Sequence, residues 1–502
     1  MKRKILVTLL AFCLIASLCV VGAAAADPVA QIGDTPYDTL QAAVGAANDG
    51  DTVLLLNSIT VDSSITVDKS NCKITLDLGG NTITKDSSSS AYGGGKVILL
   101  KGGELTVTNG TIKSDGYAAI SGNGAISVEA NYTPSDPDAV MATLILDRSA
   151  IVDSSSYAGI FVAGRVAQVD VYGSVKGEYY GVSGNGTNNA STNNGGTIIN
   201  VYDGANITHR NASDGVAVYQ PQNGTLNVYG GTMTGIVGIQ ICSGTVNISG
   251  GDITATGTNN LTNYTHTGDG NVVDGAALSI INRSGGYEGK INVNVTGGHF
   301  VSENGDAILE YTCNADCEKV ESINISGGTF DGKTSDIKVE LKSADVAVPV
   351  VTGGTFSNAE SANVDKYFPT NSALTFDENG KVVPSSAAVA EVDGVPYKTL
   401  QAAIDAAEDN DTVTLIDNVT ADGAGKVNNE GVILITKDII LDGNGKTLSV
   451  TGVTGEGTNV ASVINIQNDA EVTVKDLIVD STGAKHGLNL NSASVTVEGV
   501  TI

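Results

Sequence analysis

The stretch Tyr37–Val53, YDTLQAAVGAANDGDTV, returns almost unchanged as Tyr397–Val413, YKTLQAAIDAAEDNDTV. In both copies apolar residues recur at i, i+3, i+4 and i+7: Leu40, Ala43, Val44 and Ala47 in the first, and Leu400, Ala403, Ile404 and Ala407 in the second. This spacing places one apolar stripe along a short helix. Because such a stripe must cover other apolar groups, the chain is predicted to contain two starts of one folding unit.

Polar residues mark the limits of both helices. Thr39 and Thr399 are suited to cap the N-termini, and Asn, Asp, Glu and Gly residues form a turn after each helix. We predict the first capping helix over residues 39–48. Strands rich in β-branched and aliphatic residues follow at Thr52–Leu56 and Thr412–Ile416.

A second repeat lies between the two helices. A strand of alternating apolar and polar residues, usually ending in Gly-Gly, recurs at Val169–Gly173, Ile199–Gly204, Leu226–Thr232, Val246–Asp252, Val293–Phe300, Ile323–Phe330 and Val351–Phe356. Another strand type accompanies most copies: Gly159–Val162, Gly215–Val218, Gly238–Ile241 and Asp306–Leu309. Intervals of roughly 20 to 30 residues, with no room for crossover helices, predict a solenoid of stacked β coils rather than a βαβ sheet.

The alternation assigns an inside and an outside to each coil. Leu226 and Val228 are predicted to point inward, and Asn227 and Tyr229 outward. Glycine pairs supply the positive φ angles that a sharp corner needs. An uncovered first coil would offer an open ladder edge for pairing with other chains. We therefore predict that each amphipathic helix is a cap on the first coil of a solenoid.

The capping motif and the coils that follow it resemble a known superfamily. The TLQAA motif with its later DTV, followed by Ile74–Ile83 and Ile439–Leu448, resembles the start of pectate-lyase-like right-handed parallel β-helix proteins. The coils ending in Gly-Gly-Thr-Phe resemble those of large bacterial cell-surface β-helix proteins. The resemblance covers nearly all of the mature chain. It implies an all-β, right-handed, single-stranded parallel β-helix with two tandem modules, each opened by a short capping α-helix.

The chain divides at recognisable points. A basic start, an apolar run and small residues up to position 26 are typical of a secretory signal peptide. The predicted divisions are signal peptide 1–26, module 1 at 27–383 with coils over about 52–356 and a closing segment at 357–383, linker 384–390, and an incomplete module 2 at 391–502. No later apolar run is long enough to span a bilayer. A secreted or cell-surface location follows, without membrane insertion after signal cleavage.

Charge narrows the range of partners. The 55 acidic and 27 basic residues leave a formal net charge of −28, and removal of the basic signal peptide makes the chain more negative still. Such a charge disfavours binding of nucleic acid, anionic membrane and polyuronate. No cofactor is predicted. An acidic surface could also collect Ca²⁺, and that alternative stays open beside a merely solvated acidic face. The sequence does not indicate an oligomeric state.

Cysteines offer one candidate crosslink. Cys313 and Cys317 are close in sequence, and in an exported protein they could form a small local disulfide. Unpaired thiols are the alternative, which the spacing leaves open.

No catalytic or metal-binding residue is predicted. The arginines are Arg148, Arg165, Arg210 and Arg283 after the signal peptide, and none lies in a lyase-like motif, although Arg210 is close to Asp214. The histidines are His209, His266, His299 and His486, and no pair has a metal-ligand interval. Each of these residues is more simply explained as a surface or turn residue.

Two features favour binding over catalysis. The first is an outward column of polar side chains beside the aromatic rings of Tyr172, Tyr202 and Tyr229. The polar column consists of Asp170, Asn200, Asn227, Asn247, Asn294 and Asn324. Polar groups and flat rings are suited to sugars, but such ladders also stabilise stacked strands by themselves. The second is the loop 256–274, with Tyr264, His266 and Asp269 as candidate contacts. An inert loop is the alternative there.

The predicted function is that of an exported bacterial β-helix protein for adhesion or glycan binding, without catalysis. Its partner would be a polysaccharide or a host or cell-wall glycan. The first alternative is a polysaccharide lyase or glycoside hydrolase, because the superfamily that the chain resembles also contains enzymes. A structural spacer is the second alternative.

Overall fold

The computed structural model describes residues 27–87, 94–116, 124–130, 141–164, 167–186, 196–258, 270–282, 287, 289–312, 320–340, 347–358, 363–427, 430–455 and 460–502. The predicted signal peptide and the predicted disulfide between Cys313 and Cys317 lie outside these residues.

Module 1 is a parallel β-helix whose coils run through three faces, named here faces A, B and C. Face A contains β3 (Thr52–Leu55), β5 (Ile65–Asp77), β7 (Ile98–Thr108), β10 (Ala142–Leu146), β13 (Ala167–Val171), β16 (Thr197–Val201), β19 (Gly224–Val228), β22 (Gly244–Ile248), β25 (Ile291–Val295), β28 (Val320–Ile325) and β31 (Pro349–Val351). The antiparallel hairpin β1 (Ala30–Ile32) and β2 (Thr35–Tyr37) precedes it, with β1 paired to β3. The predicted β-helix fold is confirmed.

Faces B and C complete each coil. Face B contains β4 (Ile59–Thr60), β6 (Thr82–Ser87), β8 (Gly110–Gly116), β11 (Ala150–Ser154), β14 (Ser174–Gly177), β17 (Asn206–His209), β20 (Thr232–Gly235), β23 (Asp252–Thr258), β26 (His299–Asn304), β29 (Thr329–Gly332) and β32 (Thr355–Phe356). Face C contains the first halves of β5 and β7, then β9 (Gly124–Glu129), β12 (Ala158–Ala163), β15 (Tyr180–Ser183), β18 (Val216–Gln220), β21 (Val237–Ile241), β24 (Leu278–Asn282), β27 (Asp306–Thr312) and β30 (Ser335–Glu340).

Identical register between coils produces continuous apolar columns inside the solenoid. One column on face A is Val169, Ile199, Leu226, Val246, Val293 and Ile323, each at most 1% exposed. On face B the rings of Phe300, Phe330 and Phe356 stack at centroid distances of 5.0 and 4.8 Å. Side chains in such columns are removed from water and packed against their neighbours, which is the main source of stability.

Corners between faces A and B require glycine. Gly328 has a φ of 98°, and a Cβ at this position would lie 3.2 Å from two backbone carbonyl oxygens of the preceding coil. The second glycine of the recurring pair is therefore needed both for its φ angle and for close stacking.

The first capping helix, α1, spans Leu40–Ala46 and is shorter than the predicted 39–48. Its ends are set by capping: the Thr39 hydroxyl accepts a hydrogen bond from the Ala42 N–H at 3.1 Å, and Ala47 leaves the helical conformation. Leu40 and Val44 are buried against the first coil. The second capping helix, α2 (Leu400–Ala406), has the same N-cap, Thr399.

Each capping helix also ends the hydrogen-bond ladder of face C. The Gln41 side chain donates to the Thr66 carbonyl at 3.0 Å and accepts from the Thr66 N–H at 2.7 Å. Gln401 makes the same pair of bonds with Leu434, at 2.9 and 2.8 Å. One side-chain amide thus stands where the backbone of a preceding strand would be. This satisfies groups that an open edge would leave unpaired.

A lysine holds the other end of each capping helix. Lys69 Nζ donates to the carbonyls of Gly45, at 2.8 Å, and Ala47. Lys437 Nζ binds the corresponding carbonyls in module 2. A cation at the C-terminal carbonyls is favourable because these groups have no partner inside the helix.

Module 2 repeats the arrangement with its own core. Its strands are β35 (Ala390–Val392), β36 (Val395–Tyr397), β37 (Thr412–Leu415), β38 (Val419–Asp422), β39 (Gly431–Ile435), β40 (Ile440–Asp442), β41 (Thr447–Thr451), β42 (Ser462–Gln467), β43 (Glu471–Lys475), β44 (Ile478–Asp480), β45 (Leu488–Asn491) and β46 (Ser494–Glu498). Strands β37 to β46 again form three parallel faces, and the antiparallel hairpin of β35 and β36 precedes them. Their buried apolar residues form a cluster separate from that of module 1.

Between the modules lies a closing segment. A 3-10 helix (Val364–Tyr367) covers the last coil, and an antiparallel hairpin of β33 (Leu374–Phe376) and β34 (Val382–Pro384) follows. Among the described residues, no helix is long and apolar enough to cross a membrane.

Candidate functional site

The asparagines of the predicted column form a hydrogen-bonded ladder on the outside of face A. Each Nδ2 donates to the Oδ1 of the preceding coil at 2.6 to 3.2 Å, in the order Asn324, Asn294, Asn247, Asn227, Asn200 and finally Asp170. Aligned amide dipoles of this kind strengthen one another. The ladder therefore ties six successive coils together.

The three tyrosines of the predicted column stack beside the ladder. Ring centroids lie 4.3 Å apart for Tyr172 and Tyr202 and 5.1 Å apart for Tyr202 and Tyr229, with nearly parallel planes. The stacked rings thus cover one another's faces, while Tyr229 at the end of the stack is 50% exposed. Burial, followed by the charge of Asp170, raises the pKa of Tyr202 to about 12. The structure brings these polar and aromatic residues together, while their binding of a glycan stays a prediction.

The ladder makes a measurable contribution that is independent of ligand. Asn227→Leu removes one donated and one accepted bond, and we expect it to lower the free energy of unfolding by about 1 to 2 kcal/mol. Thr225→Leu, on the same strand and face but outside the ladder, is the control and should change stability less. Chemical denaturation of both variants measures the difference. Equal effects would show that the ladder contributes no more than an ordinary surface position.

The loop predicted as a second contact region returns to the solenoid over face C. Tyr264, His266 and Asp269 lie outside the described residues. The returning end is fixed: the Tyr180 hydroxyl donates to Asn271 Oδ1 at 2.8 Å, and the Val272 N–H donates to Gln240 Oε1 at 2.9 Å. The described part of this loop therefore acts as a cover for face C.

A groove on the outside of face B joins three successive coils. Its volume is about 440 Å³, and its walls are formed by β11, β14, β17 and the residue Arg210 that follows them. Strand register places the outward side chains in two parallel rows: Ile151, Ser174 and Asn206 in one, and Asp153, Lys176 and Thr208 in the other. Neighbouring side chains within a row are one strand spacing apart, about 4.8 Å.

Ion pairs organise the polar side of the groove. The Arg210 guanidinium reaches back two coils, where Nη2 binds Asp153 Oδ1 and Nε donates to the Ser154 carbonyl at 3.2 Å. On the preceding coil Lys113 pairs with Asp115 at 2.6 Å. No acidic partner of Lys176 is seen among the described residues. The lining side chains therefore carry one more positive than negative charge, in a strongly acidic protein.

Partly buried carboxyl groups lie at the corner beyond the groove. Burial raises the pKa of Glu178, with Arg210 lowering it and Asp214 raising it. Burial likewise raises the pKa of Asp214. His209 Nε2 accepts the Ile236 N–H at 3.0 Å, and burial lowers the pKa of this imidazole. Neutral groups are thus favoured at this corner, beside the charged groove.

The arrangement of the described side chains does not indicate a metal site. Within the described ranges, no three His, Cys, Asp or Glu side chains are placed so that they could hold a metal ion.

The groove is the part of the site that sequence reasoning missed. Among acidic residues, Arg210 is close in sequence only to Asp214. Its structural partner, Asp153, belongs to a coil whose Ala-Ile-Val-Asp-Ser strand lacks the Gly-Gly signature. Aligning the strands after each corner by their inward aliphatic residues, Val152, Val175 and Ile207, would have placed Asp153, Lys176 and Thr208 in one row.

The fold and strand pairing define this chain as a parallel β-helix protein. Among solved structures it is similar to a mutant of the PL6 family alginate lyase AlyGC, with 11% sequence identity, coverage of 91% of this chain and 74% of that chain, and a TM-score of 0.29. A TM-score this low supports no functional argument. No protein-family model and no curated protein sequence matches the chain.

Proposed function

We propose that this is an exported β-helix protein that binds a glycan in the face B groove. The observation that carries the proposal is the arrangement of Asp153, Lys176 and Arg210, from three successive coils, around one groove with Asn206 and Thr208. Carboxylate, amide, hydroxyl and cationic groups can each hydrogen-bond to sugar hydroxyls. Directional groups of this kind, fixed on rigid strands, provide orientation and specificity.

An apolar contact completes the groove. Ile151 is 46% exposed, although it stands in the middle of a polar face. A sugar ring has apolar C–H faces as well as hydroxyl edges, so an exposed aliphatic side chain beside polar groups suits it. Because the rows run along the solenoid axis, an extended oligosaccharide would cross successive coils and meet one side chain of each row per coil.

The charge of the whole chain limits the glycan class. A net charge of −28 repels a polyanion at long range, whereas the groove itself carries positive side chains. A neutral or sparsely charged glycan is therefore favoured over a polyuronate. In this proposal, glycan binding serves adhesion to a host or cell-wall glycan.

A glycan array with the purified chain, followed by titration of the ligands found, tests the proposal. We expect Lys176→Ala to weaken binding about tenfold, equivalent to about 1.4 kcal/mol. Lys333→Ala is the matched control, since it removes the same charge from the corner that follows face B strand β29, five coils away. A blank array, or equal affinity of both variants, would count against the groove.

A second candidate is a polysaccharide lyase acting at the same groove. The observation that favours it is the presence of Lys176 and Arg210 beside a carboxylate across adjacent coils. In β-elimination a basic side chain removes the proton next to a uronate carboxylate, the glycosidic C–O bond breaks, the departing oxygen takes up a proton, and a C=C bond is left in the product. Release of unsaturated oligosaccharides by the protein, abolished in Lys176→Ala, would establish this reaction in place of simple binding.

A further inference from the structure

The two modules open with the same hairpin. Val29–Tyr37 reads VAQIGDTPY and Val389–Tyr397 reads VAEVDGVPY. The pairing is also the same, with Ala30 opposite Tyr37 and Ala390 opposite Tyr397. The two hairpins can therefore be compared position by position.

In module 2 the outer edge of this hairpin is occupied. Ser372, in the closing segment of module 1, forms an antiparallel bridge with Tyr397. The Ala373 N–H donates to the Pro396 carbonyl at 2.6 Å. The closing segment thus adds an extra strand to the hairpin, and Ser372, Ala373 and Tyr397 are all buried at this contact.

In module 1 no described residue pairs with the equivalent edge. Strand β2 pairs only with β1 among the described residues. Thr35 and Pro36 are exposed and Tyr37 is half-buried, whereas Pro396 and Tyr397 are buried. The same sequence motif therefore presents, in module 1, an edge that the protein covers in module 2.

We propose that the outer edge of β2 is a docking site for the closing segment of another β-helix module on a separate chain. The partner is an extended segment with two small residues at the positions of Ser372 and Ala373, whose backbone donates to the Pro36 carbonyl. Added strands bind through backbone hydrogen bonds, and small side chains allow the close approach. Docking of this kind joins β-helix modules end to end into a longer rod.

Hydrogen exchange measured on two forms of the chain tests the site. In the first, a second copy of residues 363–388 is placed directly before Val29, which reproduces the natural spacing to the module 2 hairpin. In the second, the added copy carries Ala373→Pro, which removes the donating N–H. We expect exchange at the amide of residue 38 to be about tenfold slower in the first form than in the second, because the N–H of the equivalent Lys398 donates to the Asn371 carbonyl at 3.4 Å. Equal exchange in both forms would overturn the docking site.

A free peptide tests whether the partner acts from another molecule. Residues 363–388, added to the unmodified chain at millimolar concentration, should protect the same amide, and the Ala373→Pro peptide should not. Protection only in the tethered form would overturn the intermolecular proposal. Glycan binding in the groove is measured separately, so the two proposals can fail independently.

Discussion

The Leu40→Asp variant is expected to lose the first cap and to self-associate. Leu40 is 2% exposed and belongs to the core cluster that α1 closes. Removal of its buried side chain and introduction of a carboxylate together cost on the order of 4 kcal/mol or more. Displacement of α1 also releases Thr66 from Gln41 and exposes the ladder edge. Light scattering after size-exclusion chromatography measures the resulting oligomers.

The chain provides a matched control for this variant. Gly45 is exposed on the outer side of α1, and Asp405 occupies the equivalent position in α2. Gly45→Asp should therefore leave a well-folded monomer. Gln41→Ala, which opens the edge but keeps the core, should give a milder form of the same association. A monomeric Leu40→Asp variant would show that α1 is not the cap.

The Glu310→Gln variant is expected to be more stable than the natural chain at alkaline pH. Glu310 points into the solenoid, is fully buried, and no described residue hydrogen-bonds to its carboxyl oxygens. Burial raises its pKa from 4.5 to about 8. Its neighbours on the adjoining strands are Ile280 and Val339, and its charge acts on Tyr367 of the closing 3-10 helix.

The direction in which stability changes with pH follows from the difference in proton binding between the folded and unfolded states. The folded state holds the proton of Glu310 more tightly than the unfolded state, so the contribution of this group to stability is fully present below pH 4.5 and is lost as pH rises to about 8. The total loss for this group is on the order of 4 kcal/mol. Glu310→Gln removes this loss of stability at alkaline pH. The natural chain and the variant should differ little in stability below pH 4.5. Buried Asp274, with its pKa raised to about 7, has the same sign and is present in both chains.

Denaturation midpoints of module 1 measured across this pH range test the Glu310 prediction. Glu303→Gln is the control, because Glu303 is exposed on the same coil and should leave the profile unchanged. Parallel profiles of the natural chain and Glu310→Gln would show that the carboxyl is ionised or solvated in the folded state.

Much of the fold could be predicted because local sequence repeats specify a solenoid. The inward positions of Leu226 and Val228, the corner glycines and the capping stripe all follow from spacing along the sequence. The role of Gln41 could not be predicted in the same way. Its partner Thr66 is distant in sequence. A polar residue on the surface of a helix does not by itself indicate a hydrogen bond to a distant strand.

The site was less predictable for a related reason. The asparagine and tyrosine columns share a repeated motif, so their register could be predicted, but not the mutual stacking in which the rings cover one another's faces. The groove residues share no motif. Asp153 and Lys176 share a row, and Arg210 reaches back to it, only because three coils of different length return to the same register. Their meeting depends on coil lengths that the loops set.

The most direct test of the proposed function is a crystal structure of the protein with an oligosaccharide identified on the array. We expect ligand density over face B that crosses the row of Ile151, Ser174 and Asn206 and contacts Lys176. Density over the stacked rings of Tyr172 and Tyr229, with an empty groove, would contradict it.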